Sequence, residues 1–131
     1  MAVNDALVLF AHHQQSQSQP MHRGGVRLGT AVGRLARARG VDNKFDESTL
    51  RRFQAAALAQ THDARVLLLR HLVSMMRSTD FPIPLDYGWL AADLYRFQFR
   101  ASAHKVRLAW GRSLHQQDLD NQTTTPSDKE K

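Results

Sequence analysis

The chain has 131 residues, of which 42% are hydrophobic, enough for one domain with a modest core. Lys and Arg number 18 against 12 Asp and Glu, a net charge of +6, and there is no cysteine. This composition excludes a disulfide scaffold, a thiolate metal site and a cysteine nucleophile, and it contains no apolar run of the ~20 residues that a membrane span requires.

The first segment carries Val3, Leu7 and Phe10 at i, i+4 and i+7, which predicts an amphipathic helix burying those three, although "ALVLFA" taken alone also fits a short strand. No basic residue precedes it, so it is not expected to be a signal peptide. A polar loop with Gly and Pro runs next, from Gln14 to Gly25. Leu28, Val32 and Leu35 then form a second helical stripe, with Gly40 as its C-cap. Asp46 is placed to cap a third helix bearing Leu50, Phe53, Ala57 and Leu58. Thr61 is placed to cap a fourth, with core face Leu68, Leu72, Met75 and Met76.

"STDFPIPLD" breaks the chain, because two prolines force extended backbone, and Asp86 is placed to cap a fifth helix. Leu90, Leu94 and Phe97 mark the buried face of that helix; Ala103, Val106, Trp110 and Leu114 mark that of the sixth. Residues 117–131 lack periodicity and are expected to be a disordered polar tail beyond a domain of residues 1–116. The expected fold class is all-α, a compact helical bundle of roughly five to six helices.

"RGGVRLGTAVGR" places Gly24 and Gly29 at the spacing of a phosphate-cradling P-loop. That site needs Lys after the second Gly and a hydroxyl after the Lys, but Thr30 and Ala31 stand there. No buried strand leads into the loop, so a nucleotide site is not expected. Seven histidines raise the question of a metal. His12 and His13 are adjacent and diverge by about 100° on a helix, and His62, His71, His104 and His115 are scattered. His71 is expected to be half-buried and the others to lie at the surface, so neither a metal nor a cofactor is expected. Asp46, Asp86 and Asp93 read as surface residues in capping or i,i+3 positions, and no constellation suggests an active site.

The charge is informative in kind and place. Fourteen of the 18 cations are Arg, the side chain suited to bidentate phosphate recognition. Residues 117–131 hold four acids against two lysines, a net of −2, which leaves +8 on residues 1–116. On helical wheels, Arg27, Arg34 and Arg37 lie opposite the stripe of their helix, as do Arg70 and Arg77, Arg96 and Arg100, and Lys105 and Arg112. With Arg23 and Arg52 they form the expected nucleic-acid-binding set. Trp89 lies among cations on a polar face, placed to stack on a base or an Arg, and is expected at a protein interface.

"HHQQSQSQPMHRGGVRLGTAVGRLARARG", "LLLRHLVSMMRSTDFPIPLDYGWLAADLYRFQ" and "KVRLAWGRS" occur in this order from about Leu7 to Arg112. Together they resemble the CasB-type small subunit of the type I-E CRISPR surveillance complex, Cascade. "PLDYGWLAADLYRFQ" followed by "VRLAWGR" is the most specific part. Members of that family carry a longer helical region ahead of the "LFAHHQQ" segment. They often have a basic residue at the position of Trp89, and an acidic and an aromatic residue where Ser113 and Leu114 stand. The resemblance implies a non-catalytic, all-α protein, while the absence of cysteine fits a cytoplasmic home and the lack of a long apolar run predicts no membrane contact. Its expected partners are a guide RNA, the target and displaced DNA strands, the backbone and large subunits, and a second copy of itself. The alternative is a free-standing helical nucleic-acid-binding regulator, against which no helix pair joined by a three- or four-residue turn shows a recognition-helix pattern.

Overall fold

The computed structural model describes residues 1–42 and 44–116; the expected tail, 117–131, lies outside them. The described residues form six helices: α1 Ala2–Gln14, α2 Leu28–Arg39, α3 Glu47–Leu58, α4 His62–Arg77, α5 Tyr87–Arg96 and α6 Arg100–Leu114. The all-α bundle expected from periodicity is the fold. Three starts are fixed as expected by side-chain caps. Asp46 accepts from the Thr49 N–H at 3.1 Å, Thr61 from that of Ala64 at 3.1 Å, and Asp86 from that of Trp89 at 2.9 Å.

α2 packs along α6, α3 along α4, and α1 against both α4 and α5. One core joins them, with Leu35, Leu72, Leu94 and Trp110 among its fully buried members. The two long connections close it. Leu85 N–H donates to Met21 O at 3.1 Å and Arg23 N–H to Leu85 O at 3.0 Å, so the Gly-rich and Pro-rich loops pair over a single bridge and bury Met21, Ile83 and Leu85.

The glycines of α2 serve this packing. A Cβ on Gly29 would collide with the Ser113 side chain and the Trp110 carbonyl, and one on Gly33 would lie 2.5 Å from the Leu114 carbonyl. The P-loop-like spacing is thus explained in part by the close approach of α2 to the end of α6. Gly40 is the C-cap of α2, at ordinary negative φ; it is needed because a Cβ would run into the Lys44 carbonyl.

Several expected faces are rotated. In α1 the buried residues are Ala2, Ala6, Leu9 and His13, while Val3 and Leu7 are exposed and Phe10 is half-buried. α1 is apolar on most sides, so periodicity does not select a face, and the small Ala2 and Ala6 are the residues turned into the core. In α3 Leu58 is exposed and Thr49, Phe53 and Ala56 are buried. In α4 Leu69, Leu72, Val73 and Met76 are buried, with Leu68 and Met75 at the margin.

Candidate nucleic-acid interface

The site rests on which cations the bundle turns outward and which it uses itself. Arg65, not expected as a core residue, is buried. Its Nε donates to Ala56 O at 2.9 Å and its Nη2 to Ala59 O at 2.7 Å, and its guanidinium lies 3.7 Å from the centre of the Phe97 ring. Arg107 Nε donates to Ala57 O at 2.7 Å. Together they satisfy carbonyls at the C-terminal end of α3, a helix with no basic residue in its own last turn. Arg77 does the same for α1: its Nη2 donates to Gln15 O at 3.3 Å, and the side chain is half-buried.

Two groups of expected site residues come together. Arg27, the N-cap residue of α2, places its guanidinium 3.7 Å from the centre of the Trp89 ring. Arg96 Nη1 lies 3.5 Å from Asp93 Oδ1, so Arg27, Trp89, Asp93 and Arg96 form one cluster between α2 and α5. Asp93 is not the surface residue expected. It is buried and accepts the Trp110 indole N–H at 2.9 Å. Burial raises its pKa, and the Trp110 N–H, Arg96 and Arg27 pull it part of the way back.

The second group lies where α4 passes the end of α1. Arg70 and His12 line a shallow surface depression with Gln14 and Gln15, and Arg77 is adjacent. Burial first, then Arg77 and Arg70, lower the pKa of His12, whose Nε2 shares a 2.7 Å hydrogen bond with Ser74 Oγ. His13 is fully buried, a correction to its expected surface position, and its Nδ1 shares a 2.7 Å hydrogen bond with the Tyr87 hydroxyl. Burial, with Arg77 and His12 adding to it, pushes the His13 pKa down to about 4. His71, expected to be half-buried, is exposed. His62 donates to Asp5 at 2.6 Å.

The remaining candidates stand apart. Arg23 in the α1–α2 connection, Arg52 on α3, and Arg100, Lys105 and Arg112 on α6 are exposed, Arg52 donating to Ser48 Oγ at 2.8 Å. Arg34 and Arg37 are half-buried on α2, Arg37 lying 5.0 Å from the centre of the Phe45 ring. Arg51, Arg39 and Lys44 add exposed charge that the helical wheels did not single out. Arg39 pairs with Asp46 at 3.4 Å. Among the described residues no three His, Asp or Glu side chains cluster as metal ligands, and no helix is long and apolar enough to cross a membrane.

The family model of CRISPR-associated protein Cse2 matches residues 1–115. The chain belongs to this family. Among solved structures, the Cse2-family chain is similar to CasB from Thermobifida fusca, with 41% sequence identity and a TM-score of 0.76. The match covers 87% of this chain and 62% of that one, so the chain spans less than two thirds of the length of that CasB. Comparison with curated proteins gave no match. The resemblance carried by the ordered motifs therefore holds at the level of the family, across nearly all the described residues.

Proposed function

We propose that this Cse2-family chain is a non-catalytic small subunit of the RNA-guided surveillance complex Cascade, supporting the guide RNA–target DNA hybrid and the displaced strand. The observation that carries the proposal is the match to the Cse2 family over residues 1–115, joined to a bundle whose exposed side chains are rich in Arg. The acids of α5 and its cap are spent internally: Asp86 on the Trp89 and Gly25 N–H groups, Asp93 on Trp110. Cations such as Arg100, Lys105 and Arg112 are left to face solvent.

Such a surface holds phosphates without reading bases, while base pairing between guide and target supplies sequence specificity. The expected outer set is Arg23, Arg52, Arg70, Arg96, Arg100, Lys105 and Arg112, with Arg27, Arg34, Arg37 and Arg77 contributing charge from half-buried positions. Trp89, covered on one side by Arg27, is proposed to meet a neighbouring subunit.

Co-purification tests the reading. A tagged full-length chain, expressed with the companion subunits and a guide RNA, is expected to bring down both. Recovery of the chain alone, or with duplex DNA and no guide RNA, overturns the proposal.

A further inference from the structure

Two arginines of the bundle lie over aromatic rings at the same distance, 3.7 Å from the guanidinium carbon to the ring centre: Arg65 on Phe97 and Arg27 on Trp89. They are used differently. Arg65 is buried and its donors go to Ala56 O and Ala59 O, so it serves the fold. Arg27 is half-buried, and among the described residues none accepts a hydrogen bond from its guanidinium. A ring face holds the cation by its charge and leaves the N–H donors to a second partner.

The backbone beneath this pair is fixed. Asp86 N–H donates to Val26 O at 2.7 Å and Gly25 N–H to Asp86 Oδ2 at 3.0 Å, which ties the residues just ahead of Arg27 to the start of α5. The other oxygen of the same carboxylate accepts the Trp89 N–H at 2.9 Å. One side chain therefore places both the cation and the ring. Arg96 stands seven residues after Trp89, on the same face of α5 and about 10.5 Å farther along it. Its Nη1 lies 3.5 Å from Asp93 Oδ1, and Arg27 too is near enough to that carboxyl to help lower its pKa. Asp93 is buried and its other oxygen accepts from Trp110. Two guanidinium groups thus share one acid, and the cluster keeps a surplus positive charge.

The planar fork of Arg donors matches a phosphate. A guanidinium already held in place loses less side-chain freedom on binding than an unrestrained surface cation such as Lys105. Resting on the nucleic-acid reading above, we infer that Trp89 is a positioning residue: it holds Arg27 beside Arg96 as a pre-formed two-arginine clamp for a phosphate of single-stranded nucleic acid. Only the face under Arg27 is used, so the assignment is independent of what meets the rest of the ring.

Anisotropy of the full-length chain with labelled, mixed-sequence single-stranded DNA across a salt series tests this. Arg27→Gln and Arg96→Gln are each expected to weaken binding about threefold or more, and to flatten the log–log salt slope by about 0.7, the loss of one phosphate contact. Trp89→Leu leaves the net charge unchanged and is expected to weaken binding about threefold or more. Trp89→Tyr restores a ring and is expected to bind within about twofold of the parent. In the Arg27→Gln background, Trp89→Leu is expected to add less than about 1.5-fold, because the ring then has no cation to hold. Thermal melts report folding, and Trp89→Met takes the place of a Trp89→Leu variant that does not fold. An equal loss from Trp89→Leu with and without Arg27 overturns the inference, since the ring then acts on its own, by stacking on a base or by supporting the fold. Unchanged affinity in Arg27→Gln, beside a loss when Lys105→Glu and Arg112→Glu are combined, overturns the inference and leaves the nucleic-acid reading standing. A parent chain that binds no single-stranded DNA overturns the clamp and the nucleic-acid reading of the basic surface together.

Discussion

Trp110 donates its indole N–H to Asp93 Oδ2 at 2.9 Å, tying α6 to α5 inside the core. The indole is also stacked on Phe53, at 5.5 Å between ring centres, and met edge-on by Phe97 at 5.0 Å. Asp93→Asn keeps a side-chain acceptor and is expected to cost less than about 1 kcal/mol, whereas Asp93→Ala strands the buried N–H and is expected to cost about 1–3 kcal/mol. Urea unfolding of the two variants measures the difference. Equal stability would show that the bond contributes nothing to the fold.

Gly29 and Gly33 are predicted to be intolerant of even a methyl group. Ala is the better helix former by about 1 kcal/mol, yet its Cβ would strike the Trp110 and Leu114 carbonyls of α6. Overpacking of this kind costs about 1–3 kcal/mol. Gly29→Ala and Gly33→Ala should therefore each lower the unfolding midpoint. Gly111→Ala is the contrast: nothing lies within 4 Å of its Cβ, so it should gain up to about 1 kcal/mol. Denaturant midpoints that rise for all three variants would sink the close-packing argument.

What the sequence discloses and what it withholds divide by range. The caps at Asp46, Thr61 and Asp86 act across three residues, and all three are where local pattern puts them. The stripes Leu28–Val32–Leu35 and Leu90–Leu94 are one-sided, and they are buried as periodicity implies. α1 and α4 are apolar on more than one side, so a wheel alone does not orient them. The buried polar residues are the least legible, because their partners are distant in sequence: Tyr87 is 74 residues from His13, and Trp110 is 17 from Asp93. Arg65 and Arg77 look like any surface Arg until the carbonyl ends of α3 and α1 are seen beside them. The proposed interface is legible in the sequence only as an excess of Arg over acid.

Acid sensitivity is expected chiefly from His13, with the lowered pKa of His12 acting in the same direction and common to both proteins compared below. Its folded pKa of about 4 lies below the unfolded 6.5, so between these values the unfolded chain binds more protons and stability falls as pH falls. At 1.36 kcal/mol per unit, the loss approaches about 3 kcal/mol near pH 4. Asp93 acts oppositely, since its raised pKa stabilises the fold on acidification, but it is common to both proteins in a comparison of wild type with His13→Asn. The variant is expected to show a shallower decline between pH 6.5 and 4 in urea titrations. Parallel declines would place the titration elsewhere.

Charge reversal tests the basic surface most directly. Lys105 and Arg112 are exposed on α6, seven residues apart and so on one face; reversing both opens no cavity. Surface changes of this kind usually shift stability by no more than about 0.5 kcal/mol. Binding to single-stranded DNA is expected to weaken, and its log–log salt slope to flatten by about 0.7 for each phosphate no longer neutralised. Arg70→Glu is expected to act in the same way. Arg77→Glu should differ, because that guanidinium donates to Gln15 O beside α1 and its reversal also loosens α1 against α4. The test is anisotropy with mixed-sequence oligonucleotides across a salt series, run beside thermal melts. Affinities and slopes equal to those of the parent in the Lys105/Arg112 and Arg70 variants would leave the excess charge as a means of solubility and remove the α6 and α4 faces from the interface.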